Sequence, residues 1–132
     1  MKIYVFGNQD SEGDSIAIKA AEFLDGKIKG INFQKIKPND DLPVTEKNPV
    51  IIDAVSGIEE ITIIDENSLE KLISPPKSTV HDYDLGFQLK YLMKLGKLKK
   101  VTIIGLPMRS KIDYTSLQSI LRKLVAQDIQ GS

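Results

Sequence analysis

Short apolar runs alternate along the chain with segments whose apolar residues recur every three or four positions, and this alternation predicts strands interleaved with helices. Ile3-Tyr4-Val5-Phe6, ended by Gly7-Asn8, is β-branched and aromatic and reads as the first strand. Beyond the polar stretch 8–13, Ile16, Ala20, Phe23 and Leu24 keep helical spacing as far as Gly26, a residue suited to a helix C-terminus. Ile28 to Ile36 follows, with Ile31 and Phe33 on one face and Lys29, Asn32 and Lys35 interspersed, the pattern of an edge strand guarded by lysines.

The turn chemistry of Lys37-Pro38-Asn39-Asp40-Asp41-Leu42-Pro43 separates that strand from Val50-Ile51-Ile52, which is apolar on both faces and fits a buried parallel strand. Gly57 then turns the chain into Glu60 to Ile64, close enough behind to pair with the preceding strand as an antiparallel hairpin. Pro75-Pro76 marks a loop; Leu85, Leu89, Leu92 and Leu95 mark a helix stopped by Gly96. Val101 to Ile104 reads as a further buried strand ending at Gly105-Leu106-Pro107, and Leu117, Ile120, Leu121 and Leu124 line one face of a last helix. Crossovers between buried strands must cover the sheet, so the expected fold is an α/β, three-layer α/β/α sandwich. Its sheet is mostly parallel, of about five strands, with one open to an antiparallel orientation. No repeat or long linker divides residues 1–132, which are expected to form one domain.

Composition narrows the chemistry. The 18 Lys and Arg balance 18 Asp and Glu, and aromatic residues are 6% with no Trp, so neither charge nor base stacking favours nucleic acid. The apolar runs are far shorter than the roughly 20 residues of a membrane span. Ile3 to Phe6 is also too short for the apolar region of a secretory signal, which makes the cytoplasm the expected compartment. With no Cys, thiolate nucleophiles, iron–sulfur ligation and Cys-based zinc sites are excluded, and any metal is expected on oxygen or imidazole.

Ligands of such sheets bind at the carboxyl ends of the strands, where the strand order reverses. Asp14 follows the first strand, Asp53 directly follows Val50-Ile51-Ile52, and His81, the only histidine, precedes the second long helix. If the first and third strands are neighbours, all three share one rim, and two carboxylates with an imidazole suit zinc, nickel, iron or manganese with positions left open. Each residue also has a plain structural reading. Ser11-x-x-Asp14 matches a helix capping box, Asp53 could cap a turn, and His81, beside Asp82 and Asp84, could be an exposed loop histidine. Other chemistries lack their motifs: there is no glycine-rich phosphate loop, G-x-S-x-G elbow or H-E-x-x-H helix. Asp40-Asp41 reads as a solvated pair, and Lys97, Lys99 and Lys100 as a helix-end cluster.

Gly7-Asn8 with Asp14, Asp53-Ala54-Val55 with Gly57, and His81 with Leu85 together resemble, in order and approximate spacing, the nickel–iron hydrogenase maturation endopeptidases. The resemblance implies an α/β/α fold in which Asp14, Asp53 and His81 are the metal ligands and the catalytic set of a peptidase. It implies a partner, the hydrogenase large-subunit precursor, whose C-terminal extension is removed after nickel insertion. The metal is then nickel carried by that precursor, with zinc or another divalent ion able to take its place in vitro. Two features differ from the family pattern: Gly13-Asp14 stands where an acidic pair is common, and Pro38 to Pro43 lacks the glycine pair associated with substrate choice. The alternative is a non-catalytic, flavodoxin-like metal-sensing or assembly-partner module. Imidazole binds metal only when neutral, and its reference pKa is about 6.5, so a rate measured through these ligands is expected to fall in mildly acidic solution. A rate–pH profile that stays flat through that range contradicts a ligand role for His81.

Overall fold

The computed structural model describes residues 1–7, 15–36, 42, 45–73 and 80–131, with backbone alone for 71, 73, 80–84 and 129–131. The strands are β1 (Lys2–Phe6), β2 (Asn32–Ile36), β3 (Val50–Val55), β4 (Thr62–Asp65) and β5 (Thr102–Pro107). The helices are α1 (Ile16–Leu24), α2 (Glu70–Ile73), α3 (Val80–Lys94) and α4 (Tyr114–Gly131), with one 3-10 turn at Glu66–Ser68. The sheet order is β2-β1-β3-β5-β4; all neighbours are parallel except β4, which runs antiparallel to β5. This is the expected α/β architecture with a mostly parallel five-stranded sheet.

Alternation along the strands sorts their side chains into two cores. Ile3, Val5, Val50, Ile52, Ile104 and Leu106 pack with α1 and α4. Tyr4, Phe6, Ile51, Val55, Val101 and Ile103 pack on the opposite face with Leu72 of α2 and with Leu85 and Leu89 of α3. All six residues of β3 are buried, because the strand lies in the middle of the sheet and is covered on both faces.

Four expectations need correction. The strand read from Ile28 begins only at Asn32, since Gly30, at φ 89°, still belongs to the turn that leads into it. β3 does not stop at Ile52 but continues through Asp53, Ala54 and Val55, so Asp53 lies within the strand rather than after it. β4 pairs with β5, not with β3 as a hairpin. The reason is burial: β3 is apolar on both faces and takes a parallel neighbour on each side, whereas β4 buries Ile64 and leaves Ile63 47% exposed, which suits an edge. Lastly, Leu95 is exposed, because α3 ends before it.

That end is a Schellman motif. Gly96 has φ 76°, its N–H donates to Met93 O at 3.0 Å, and the N–H of Lys97 donates to Leu92 O at 2.9 Å. Immediately afterwards Lys99 N and Lys100 N donate to Lys47 O at 2.8 and 3.1 Å, and Thr102 N donates to Pro49 O at 3.0 Å. The C-terminal end of α3 is thereby fixed beside the start of β3. A helix of 15 residues spans about 22 Å, so α3 begins toward the opposite edge, where the parallel strands end.

The connection from β2 to β3 contains no helix among its described residues. It runs over the α3 face: Leu42 packs into that core and its N–H donates to Gln88 Oε1 at 3.3 Å. The Tyr4 hydroxyl, on a fully buried ring, donates to Glu46 Oε2 at 2.7 Å. Burial first, and then the Glu46 carboxylate, push the Tyr4 phenol above its ordinary value. For Glu46 burial acts upward, but the hydrogen bond from Tyr4, backbone donors and the charge of Lys2 outweigh it, and the net shift is downward.

A carboxyl lowered in the folded state stabilises the fold above its unfolded value, and that contribution disappears as pH falls through the folded value. The unfolded value is near 4.5. Tyr4→Phe is expected to lower stability at pH 7 by about 1–2 kcal/mol and to flatten the loss below pH 4.5, as read by urea unfolding between pH 3 and 7. An unchanged acid limb contradicts the coupling.

Candidate active site

In a sheet of this order the chain winds outward in opposite directions from β1 and β3. The crevice at their carboxyl ends is the switch point at which open α/β sheets bind ligands. Asp53 stands there. It pairs in register with Phe6, the last residue of β1, and with Gly105 of β5 on the other side. Gly105 in turn pairs with Thr62 of β4, so Phe6, Asp53, Gly105 and Thr62 make one row across four strands near the carboxyl edge.

Asp53 is 3% exposed, and with Ser15 it is one of two buried polar or charged residues among those described. Strand alternation directs it to the same face as Ile51 and Val55, the face covered by α3. Burying a carboxylate costs several kcal/mol unless opposite charge or hydrogen bonds compensate. The rest of β3 is apolar, so packing alone gives no reason for a carboxylate here.

The other two candidates are placed less completely. Asp14 lies outside the described residues; α1 begins at Ile16, with Ser15 at the N-cap position and no side-chain cap hydrogen bond. The capping box read from Ser11 and Asp14 likewise falls outside them. His81 belongs to the first turn of α3 rather than to the loop before it, and its side chain is outside the described set. Its position is four residues, about one turn, before Leu85, which packs on the Asp53 face of the sheet. The start of α3 and the end of β3 therefore lie toward the same edge of the same face. Among the described residues no group of three or more His, Asp or Glu could hold a metal ion.

Gly105 was read in the sequence as the end of a strand, but it sits inside β5 and beside Asp53. A Cβ there would lie 3.2 Å from the backbone oxygen of Thr62, 3.2 Å from Val55 Cγ2 and 3.4 Å from Ile58 Cδ1. Its absence lets the β4 edge close against β5 and leaves no side chain between Asp53 and Thr62. A glycine in an otherwise apolar strand is the sequence signal of such an approach.

The fold is shared with solved structures named as hydrogenase maturation endopeptidases. Among solved structures, the hydrogenase maturating endopeptidase HybD from Escherichia coli superposes with a TM-score of 0.64 at 17% identity, over 99% of this chain and 94% of that one. The NiFe hydrogenase maturation protease HybD from Thermococcus kodakarensis gives a TM-score of 0.59 at 20% identity, over 98% and 99%. A hydrogenase 2 maturation peptidase from a Thaumarchaeota archaeon gives 0.52 at 17%, over 98% and 99%. No family model and no curated protein matches the chain. At these identities the likeness establishes a shared fold over nearly the whole length of both chains.

Because the space beside Gly105 is already occupied by backbone, Gly105→Ala is expected to destabilise the protein by about 1–3 kcal/mol, measured by chemical denaturation. Unaltered stability would mean that β4 yields freely and that the glycine is not required for packing.

Proposed function

We propose that the protein is a hydrogenase maturation endopeptidase, which removes the C-terminal extension of a nickel–iron hydrogenase large-subunit precursor once nickel has been inserted. The observation that carries the reading is Asp53: a buried carboxylate at the switch point of this fold, opening the Asp53-Ala54-Val55 segment that carries part of the sequence resemblance. The neighbours of shared fold are named as hydrogenase maturation peptidases, which supports the same reading.

Asp53, with Asp14 and His81, would hold the nickel that arrives within the precursor. Oxygen and imidazole donors fit a borderline divalent ion, and a chain without cysteine offers no thiolate to compete. The ion is part of the substrate, so the ligands recognise a precursor that is ready for processing. Held there, the ion would offer Lewis-acid polarisation near the junction to be cut, in addition to marking the precursor as ready. The apolar neighbours of Asp53, Phe6 and Val55, limit the water around its carboxylate and strengthen its electrostatic hold. Hydrolysis adds water across the peptide bond, the hydroxyl to the carbonyl carbon and the proton to the departing amine.

Co-expression with the nickel-loaded precursor is expected to shorten the precursor's C-terminus, read by intact mass. Asp53→Asn keeps the volume of the side chain but removes its charge. It is expected to abolish shortening while the thermal midpoint stays level or rises, since a buried charge has been removed. His81→Ala is expected to abolish shortening as well. A precursor that keeps its tail in the presence of the intact protein contradicts the reading, as does full activity in Asp53→Asn.

A further inference from the structure

Phe87, Tyr91 and Leu95 recur at every fourth position along α3 and its end, and they are 48%, 64% and 50% exposed. Leu85 and Leu89, on the buried face of the same helix, are fully covered. The spacing makes the three a continuous strip about 12 Å long. Single exposed apolar residues are ordinary, but an aligned row of large ones marks a contact surface.

The chain that carries the strip turns basic beyond Leu85. Between Leu85 and Ile112 the chain has seven Lys and Arg and no Asp or Glu, although the whole carries no net charge. Lys94, in the last turn of α3, and Lys97, Lys99 and Lys100, just beyond it, are exposed, while Lys90 is engaged with Glu70 at 3.0 Å. The helix dipole accounts for cations at the end of α3, but not for the apolar row that precedes them. The strip also leads toward the candidate site, since Phe87 is only six residues along α3 from His81, about 9 Å of helix.

We propose that this strip is a docking surface for the folded body of the polypeptide whose tail enters the site. The matching surface is one of apolar side chains ringed by carboxylates. The proposal rests on the peptidase reading for what occupies the rim, and the cations at the end of α3, with continuity along that helix, carry it to the strip. A protein partner fits better than a lipid surface, because the exposed apolar row is one residue wide and Leu85, Leu89, Leu92 and Met93 of the same helix pack into the core.

The test uses the whole protein with the nickel-loaded precursor. Tyr91→Glu and Lys94→Glu are expected to raise KM for the precursor at least about tenfold with kcat unchanged. Added salt is expected to raise KM for the wild type toward that of Lys94→Glu. Independently of cleavage, a photo-crosslinking p-benzoylphenylalanine installed in place of Tyr91 is expected to capture the precursor.

Normal KM in both variants with no crosslink overturns the docking surface and leaves the peptidase reading intact. Crosslinking without cleavage by the wild type supports the surface and removes the peptidase reading, and failure of both readouts removes both. Sedimentation with phosphatidylserine vesicles that Tyr91→Glu abolishes, without crosslinking to the precursor, overturns the proposal in favour of a lipid surface.

Discussion

One carboxylate placed inside a fully buried central strand organises the reading of this structure. Every residue of β3 is buried, and five of the six are apolar. An apolar residue of similar size at position 53 would satisfy packing without the desolvation cost of a charge. A site that grips a cation reverses that preference, because the same low-dielectric surroundings that penalise an isolated carboxylate strengthen its attraction for a metal.

The surrounding fold serves that position. Placing β5 between β3 and β4 encloses Asp53 with parallel neighbours on both sides and moves the half-exposed β4 to the edge. Gly105 permits the close approach of β4 backbone in the same row. The Schellman turn at Gly96 and the hydrogen bonds onto Lys47 and Pro49 pin the far end of α3, which directs its start, with His81, toward the carboxyl edge. The described residues of the connection from β2 to β3 supply cover beside α3 through Leu42 and Glu46. No helix among the described residues is long and apolar enough to cross a membrane.

Much of this was legible in the sequence because the hydrophobic period is a local property. Val50-Ile51-Ile52 could only be a strand covered on both faces, and Leu85 with Leu89 could only be the inner face of a helix. Partner choice is not local. The proximity of Glu60–Ile64 to β3 suggested a hairpin, but burial on both faces of β3 favoured β5 in that place, a competition decided by residues forty positions further on. Strand ends were misplaced for a related reason: Asp53 and Gly105 look like breakers in isolation and are held within strands by the ladders on either side. The Tyr4–Glu46 bond joins residues 42 positions apart and has no signature in either segment. Of the candidate site, Asp53 is where the strand pattern put it to within a residue or two, at the junction of β1 and β3. Asp14 and the His81 side chain rest on the family resemblance and on the position of α3.

The central claim is that Asp53 anchors a metal-gripping site at the switch point. Crystals of the protein soaked with nickel or zinc test it directly through the anomalous signal of the ion. The account predicts a peak about 2.0–2.2 Å from a carboxylate oxygen of Asp53 and from an imidazole nitrogen of His81, with Asp14 completing the protein ligands. A well-ordered site with no peak there, or an imidazole directed away from the Asp53 carboxylate with the ion bound elsewhere, contradicts it.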